Sequence, residues 1–222
     1  MKSMKSEADR IRNEINKILK ITSTSDAPER LWVILRDWKE RELVFKQMLD
    51  LFEGKLDIDW FEQYFQNNFA DGSSGQVFTS MHIAQLMAQL TLENNGAGMI
   101  RDSCAGTGAL IIGQWLVSKQ TESFKPSDYC FICEERDDRL IPFLIFNLAV
   151  RGMNAIVIHC DTMTRQSWGA FYLHNIQDNP NGFSSITRLP YTEKAEIALC
   201  VKFKNHYPEQ IEFSAKHLIS AT

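Results

Sequence analysis

A short apolar run, Met99-Ile100, leads into Asp102-Ser-Cys-Ala-Gly-Thr-Gly108 and on into Ala109 to Lys119, which has the pattern of a helix. This stretch constrains the fold more than any other. Two glycines one residue apart let the backbone turn tightly and approach a ligand, and the following helix N-terminus offers unpaired N–H groups. Alone, Gly-x-Gly is weak, because many tight strand-to-helix turns use it for packing. Its neighbours add force. Glu134 and Glu135 close the next strand pattern, from Tyr129 to Cys133, and Asp161 follows the one after, from Ala155 to His159. A glycine turn followed by two carboxylates, each at the C-terminal end of a strand, is the pattern of a nucleoside-binding crevice in a doubly wound sheet.

The remainder of the chain agrees with such a fold. Its 222 residues are 44% hydrophobic and 23% charged, which predicts a folded globular protein rather than a disordered one. At roughly 100–200 residues per domain there is room for one large domain, or one with a smaller appendage. No apolar run approaches the ~18–20 residues of a membrane helix. Met1 to Arg12 is polar and charged, with no apolar region behind it, so a cytoplasmic setting without a signal peptide is expected. Five cysteines at irregular spacing predict reduced thiols. The net charge of −4 supplies no global basic field, so composition does not argue for nucleic-acid binding, and any such contact would have to be local or come through a partner.

Periodicity divides the chain in two. Ile11, Ile15, Ile18 and Leu19 share one helical face. Pro28 suits a first helical turn after an Asp26 cap, and a continuous apolar stripe predicts one helix from Glu29 to Phe52. A third helix is predicted from Asp57 to Phe69, with Trp60, Phe61, Tyr64 and Phe65 read as core. After the turn-rich Asp71-Gly-Ser-Ser-Gly75, short apolar runs alternate with helical patterns. Arg139 to Arg151 is the helix between the second and third strands, and Ile197 to Lys204 with Gln210 to Lys216 is an expected strand pair. The expected architecture is α/β: residues 1–70 form a small helical domain, and residues 71–222 a Rossmann-like fold whose mostly parallel sheet ends in a C-terminal antiparallel pair. Cys130 and Cys133 match C-x-x-C inside an apolar strand with no second pair, which reads as buried thiols rather than zinc ligands. The five histidines have no ligand spacing, and no metal site is expected.

Five segments resemble the gamma-type DNA adenine-N6 methyltransferases, including modification subunits of type I restriction systems. Gly75-Gln-Val-Phe78-Thr79-Ser80 is similar to the family's G-x-[FY]-[FY]-T-P, and Asp102 to Gly108 to its D-P-x-C-G-T-G. Phe131 to Asp137 is similar to Y-G-x-E-x-D, with Glu135 in the acidic place. Asn147-Leu-Ala-Val-Arg-Gly152 is similar to N-L-x-L-x-G, and Cys160-Asp161-Thr162 to G-D-T. Order and spacing agree over residues 75–165. The resemblance implies a Rossmann-like methyltransferase fold, S-adenosyl-L-methionine as cofactor and DNA as substrate. It places Phe78 and Thr79 over the methionine end, Asp102, Gly106 and Gly108 in the cofactor loop, and Cys104 packed beneath the cofactor. Glu135 would take the ribose and Asp161 would face the cofactor's adenine.

The family's catalytic N-P-P-[YF] has no counterpart of full length. The nearest stretch is Asp178-Asn-Pro-Asn-Gly-Phe183, where Asn179 and Pro180 would grip the exocyclic amine of a flipped adenine and Phe183 would stack on the base. The same residues are close to ideal turn chemistry, and that reading stands foremost. Two functions follow from the resemblance. One is adenine-N6 methylation of DNA, weak or dependent on a protein partner. The other is an inactive, methyltransferase-like accessory or regulatory protein, of phage or mobile-element origin, that binds DNA or a protein.

Overall fold

The computed structural model describes residues 2–68, 79–91, 98–204 and 207. Five helices come first: α1 (Lys2–Leu19), α2 (Ala27–Arg36), α3 (Trp38–Leu51), α4 (Glu62–Asn68) and α5 (Met81–Thr91). Alternating elements follow: β1 (Gly98–Asp102), α6 (Ala109–Lys119), β2 (Tyr129–Glu135), α7 (Ile141–Val150) and β3 (Ala155–Cys160). The chain then forms β4 (Gln166–His174), β5 (Ser185–Arg188), α8 (Glu193–Leu199) and β6 (Lys202–Phe203).

The single helix expected over Glu29 to Phe52 is two. Asp37 adopts an extended backbone, φ −94° and ψ 114°, and its carboxylate accepts from the N–H groups of Lys39 and Glu40. A new helix therefore starts at Trp38, because a capped N-terminus satisfies donors that a continuous helix would have used. Trp60 and Phe61 are buried as expected but precede α4, while Phe69 lies outside the described residues. Helix α5 has no counterpart in the sequence reading. It packs on α6 through Ala84, where a Cβ on Gly113 would come within 2.8 Å of the Ala84 carbonyl carbon.

The sheet runs β1-β2-β3-β4-β5, with β6 paired to β4. β1, β2 and β3 are mutually parallel, β4 and β5 pair antiparallel, and β6 is parallel to β4. A mostly parallel sheet with an antiparallel portion was expected, but the portion lies elsewhere. Ile197 to Leu199 is the end of a helix, closed by Cys200 at φ 56°, and only Lys202–Phe203 is strand. Gln210 to Lys216 lies outside the described residues. Among the described residues β1 pairs with β2 alone.

Alternation puts Phe131, Cys133, Val157, Phe171 and Leu173 on one face of the sheet, all of them buried. Every residue of α7 is buried, as expected of a helix that is apolar all round and covered on all sides. Phe146 meets Phe45 edge-on at 4.7 Å and Phe61 at 5.3 Å, so the N-terminal helices and the sheet share one core. No helix among the described residues is long and apolar enough to cross a membrane.

Candidate functional site

The glycine loop joins β1 to α6 at the C-terminal end of the sheet. Gly106 and Gly108 have φ of 57° and 104°, left-handed values that side chains with a Cβ resist. A Cβ at Gly108 would also lie 3.0 Å from the Leu144 Cδ1, so this glycine serves close packing on α7 as well as the turn. The Gly108 N–H returns to the Ala105 carbonyl at 2.8 Å, and the Ala105 N–H reaches the Glu134 carbonyl at 2.9 Å. The loop is thereby fastened to the end of β2.

A cavity of about 260 Å³ opens over this loop. Thr79, Asp102, Cys104, Gly106 and Glu135 line it, together with Thr107, Leu110 and Leu140. Five positions singled out in the sequence therefore meet in one place. Glu135 Oε2 accepts the Gly106 N–H at 2.8 Å, and Oε1 accepts those of Arg136 and Asp137 at 2.7 and 2.8 Å. Burial nevertheless raises the Glu135 carboxyl above the usual glutamate range, outweighing the three N–H groups that pull it down. Asp102 Oδ1 accepts the Cys104 N–H at 3.0 Å, while its buried Oδ2 has no partner among the described residues. Burial raises this carboxyl too.

Strand alternation separates the two glutamates. Glu134 faces the other side of the sheet, where it pairs with Arg101 and with both ends of the Arg165 guanidinium at 2.9 Å. Burial works to raise its pKa, but the hydrogen bonds from Arg165 and Arg101 win, and it lies below the usual range. Glu135 is thus the carboxylate presented to the cavity.

Other expected positions lie elsewhere. Asp161, at the end of β3, accepts the N–H groups of Met163 and Thr164 at 2.9 and 3.0 Å and closes the turn into β4. It does not line the cavity. Cys104, by contrast, is exposed and lines the cavity. Phe78 lies outside the described residues.

The Asn179 turn lies at the end of the sheet opposite the cavity. Asp178 accepts from the Ser127 N–H at 2.7 Å and Lys119 Nζ donates to the Pro180 carbonyl at 3.1 Å, beside the start of β2 and the end of α6. Asn179 exchanges hydrogen bonds with Asn175, whose own N–H is held by Asn154 just ahead of β3. The cavity lies at the far end of β2, whose seven residues span about 20 Å at ~3.3 Å per step. Phe183 packs on Phe45 with ring centroids 5.1 Å apart, as a core residue. Asn179, Pro180 and Phe183 therefore belong to a turn that packs on the start of β2 and the end of α6, away from the cavity. The reason is strand direction: β4 runs antiparallel to β3 and delivers its following loop to the N-terminal end of the parallel strands.

One buried network was missed by sequence reasoning. Asp59 Oδ2 accepts the Thr107 hydroxyl, and its Oδ1 accepts Asn147 Nδ2 at 2.7 Å and the Phe61 N–H at 3.0 Å. Arg151 donates to the Asn147 carbonyl at 2.7 Å, to the Leu56 carbonyl at 3.0 Å, and to the Ile58 carbonyl. Asn147 and Arg151 lie within a recognisable sequence segment; Asp59 carries no local signal.

Parallel strands, a glycine turn into a helix and carboxylates presented at the strand ends define the nucleotide-cofactor class of α/β folds, in its methyltransferase form. A family model described as N-6 DNA Methylase matches residues 57–208, well over half of the chain, and the chain belongs to that family. Comparison with curated proteins and with solved structures finds no match. Family membership gives the protein a DNA methyltransferase-like function.

Proposed function

We propose that the chain binds S-adenosyl-L-methionine over the glycine loop and serves adenine-N6 methylation of DNA, with the base-gripping group contributed by a protein partner. Asp102 Oδ2, buried and without a partner among the described residues, carries this reading. A buried acceptor without a donor costs about 1–3 kcal/mol, and a ligand donor removes that cost. S-adenosylmethionine fits: its ammonium and ribose hydroxyls are donors, and Asp102 and Glu135 are acceptors on one cavity. When bound, the cofactor supplies an electrophilic methyl group. The chain's own contribution is positional: Glu135 takes the ribose diol, Asp102 takes a donor group, Thr79 and Leu110 border the cavity, and Gly106 admits close backbone approach. The resemblance assigns Asp161, which follows β3, to the adenine edge of the cofactor.

The far position of the Asn179 turn favours one second reading, an accessory protein that holds the cofactor and transfers nothing. Both readings place the chain where DNA is, in the cytoplasm. Titration calorimetry with S-adenosylmethionine tests what they share. Wild type binds, Asp102→Ala weakens binding about tenfold, a hydrogen bond to a charged group being worth ~1.5–3 kcal/mol, and Asn179→Ala binds as wild type does. Absence of binding by the folded wild type sinks both. Incubation with labelled cofactor and unmethylated, adenine-rich DNA separates them: transfer that appears on adding a partner subunit supports the enzyme, and binding without transfer under every condition supports the accessory protein.

A further inference from the structure

Gly106 and Gly108 give the loop its shape but no stiffness, since glycine has the widest conformational freedom of any residue. Thr107, between them, is 1% exposed and is held twice. Its hydroxyl donates to Asp59, and its carbonyl accepts Asn147 Nδ2 at 2.9 Å. The Asp59 carboxylate comes from the segment leading into α4, 48 residues earlier in the chain. That segment is itself pinned, because the Arg151 guanidinium donates to the Leu56 and Ile58 carbonyls and stacks 5.3 Å over Trp60. On the far side of Thr107, the Gly106 N–H is tied to the carboxylate of Glu135. A path of polar contacts thus runs from the helical region to Thr107 and, across the Gly106–Thr107 peptide, to the carboxylate at the cavity.

The geometry points to Asp59 as a positioning residue of the cofactor loop: by holding Thr107 it sets the directions of the flanking glycine N–H groups, and it couples order in the Leu56–Phe61 segment to occupancy of the cavity. The inference rests on the cofactor reading above and adds a residue outside every segment that carries the family resemblance. Coupling of this kind is reciprocal. A stiff Thr107 strengthens cofactor binding, and bound cofactor in turn protects the Phe61 N–H that donates to Asp59 at 3.0 Å.

Asp59 is buried among several partners, so its own substitution endangers folding; Thr107→Val and Thr107→Ser are the informative variants. Valine keeps the shape and deletes the hydroxyl, whereas serine restores it. Both are measured at a temperature where circular dichroism shows each variant folded. The valine variant is expected to bind S-adenosylmethionine about tenfold more weakly, as loss of one hydrogen bond to a charged partner implies, and the serine variant within about twofold of wild type. Without any cofactor, amide exchange at Gly106 and Gly108 is expected to accelerate about tenfold in the valine variant only. Loss of a contact that merely stabilises the fold lowers the melting temperature and speeds exchange across the protected amides alike, with no excess at the two glycines and no change in affinity. Wild-type exchange at the two glycines in folded Thr107→Val overturns the inference, whatever the cofactor does. If wild type binds no cofactor yet the valine variant shows accelerated loop exchange, the cofactor reading falls and the positioning role of Asp59 stands.

Discussion

Replacing Arg151 with leucine is expected to destabilise the protein by roughly 3–5 kcal/mol, the cost of breaking a buried charged network from one side. Arg151 is 1% exposed. Burial lowers its pKa to about 10, so it keeps its proton at neutral pH. Leucine matches much of its apolar stem but leaves the carbonyls of Leu56, Ile58 and Asn147 without their donor. It also removes the cation whose field offsets the burial of Asp59, a carboxyl already raised by desolvation. Against a total stability of about 5–15 kcal/mol, such a loss leaves little margin. Urea unfolding provides the measurement. Arg151→Lys should recover only part of the loss, because an ammonium cannot span three carbonyls as the planar guanidinium does. A leucine variant with the wild-type midpoint and slope contradicts the account.

Glu135→Gln is expected to weaken S-adenosylmethionine binding about 10- to 100-fold, or ~1.4–2.7 kcal/mol. Three backbone N–H groups converge on this carboxylate. A glutamine whose oxygen serves Arg136 and Asp137 turns its NH₂ toward the Gly106 N–H, donor against donor. It also withdraws an acceptor from the ribose diol. A pH dependence follows from the same group. The diol needs the ionised carboxylate, and burial has raised the Glu135 pKa. Wild-type affinity should therefore fall on acidification, beginning at a higher pH than an ordinary glutamate titrates, and recover as pH rises through that raised value. The glutamine variant should lose the part of this acid limb due to Glu135 and keep the part due to Asp102, whose carboxyl burial also raises. Calorimetric titrations across the acid range check both points, and a glutamine variant with unchanged affinity at neutral pH removes Glu135 from the cofactor's ribose.

Much of the site was legible before any coordinates. Asp102, Gly106 and Glu135 are local signals: a turn that needs positive φ calls for glycine, and an acidic residue closing an apolar strand stands at the sheet's end. The core face was legible too, since Phe131, Val157 and the aromatic residues near Trp60 follow simple periodicities. The break at Asp37 was hidden because the apolar stripe continues across it. Helix α5 was missed for the opposite reason: beyond Met81 it buries only small residues, Ala84 and Ala88, and leaves Ile83, Leu86, Met87 and Leu90 about half exposed or more, which inverts the usual pattern.

Sequence by itself determined the class of fold, the glycine turn and the carboxylate at its side, because each rests on backbone conformation or alternation over a few residues. Tertiary structure alone decided where Asn179, Asp161 and Asp59 belong. The antiparallel course of β4 carried Asn179 to the end of the sheet away from the cavity. An N–H-closed turn drew Asp161 off the cavity wall. Packing of the N-terminal helices on α7 brought Asp59 to a threonine 48 residues away. Distances of that kind are set by strand direction and core packing, which no local pattern of residues encodes.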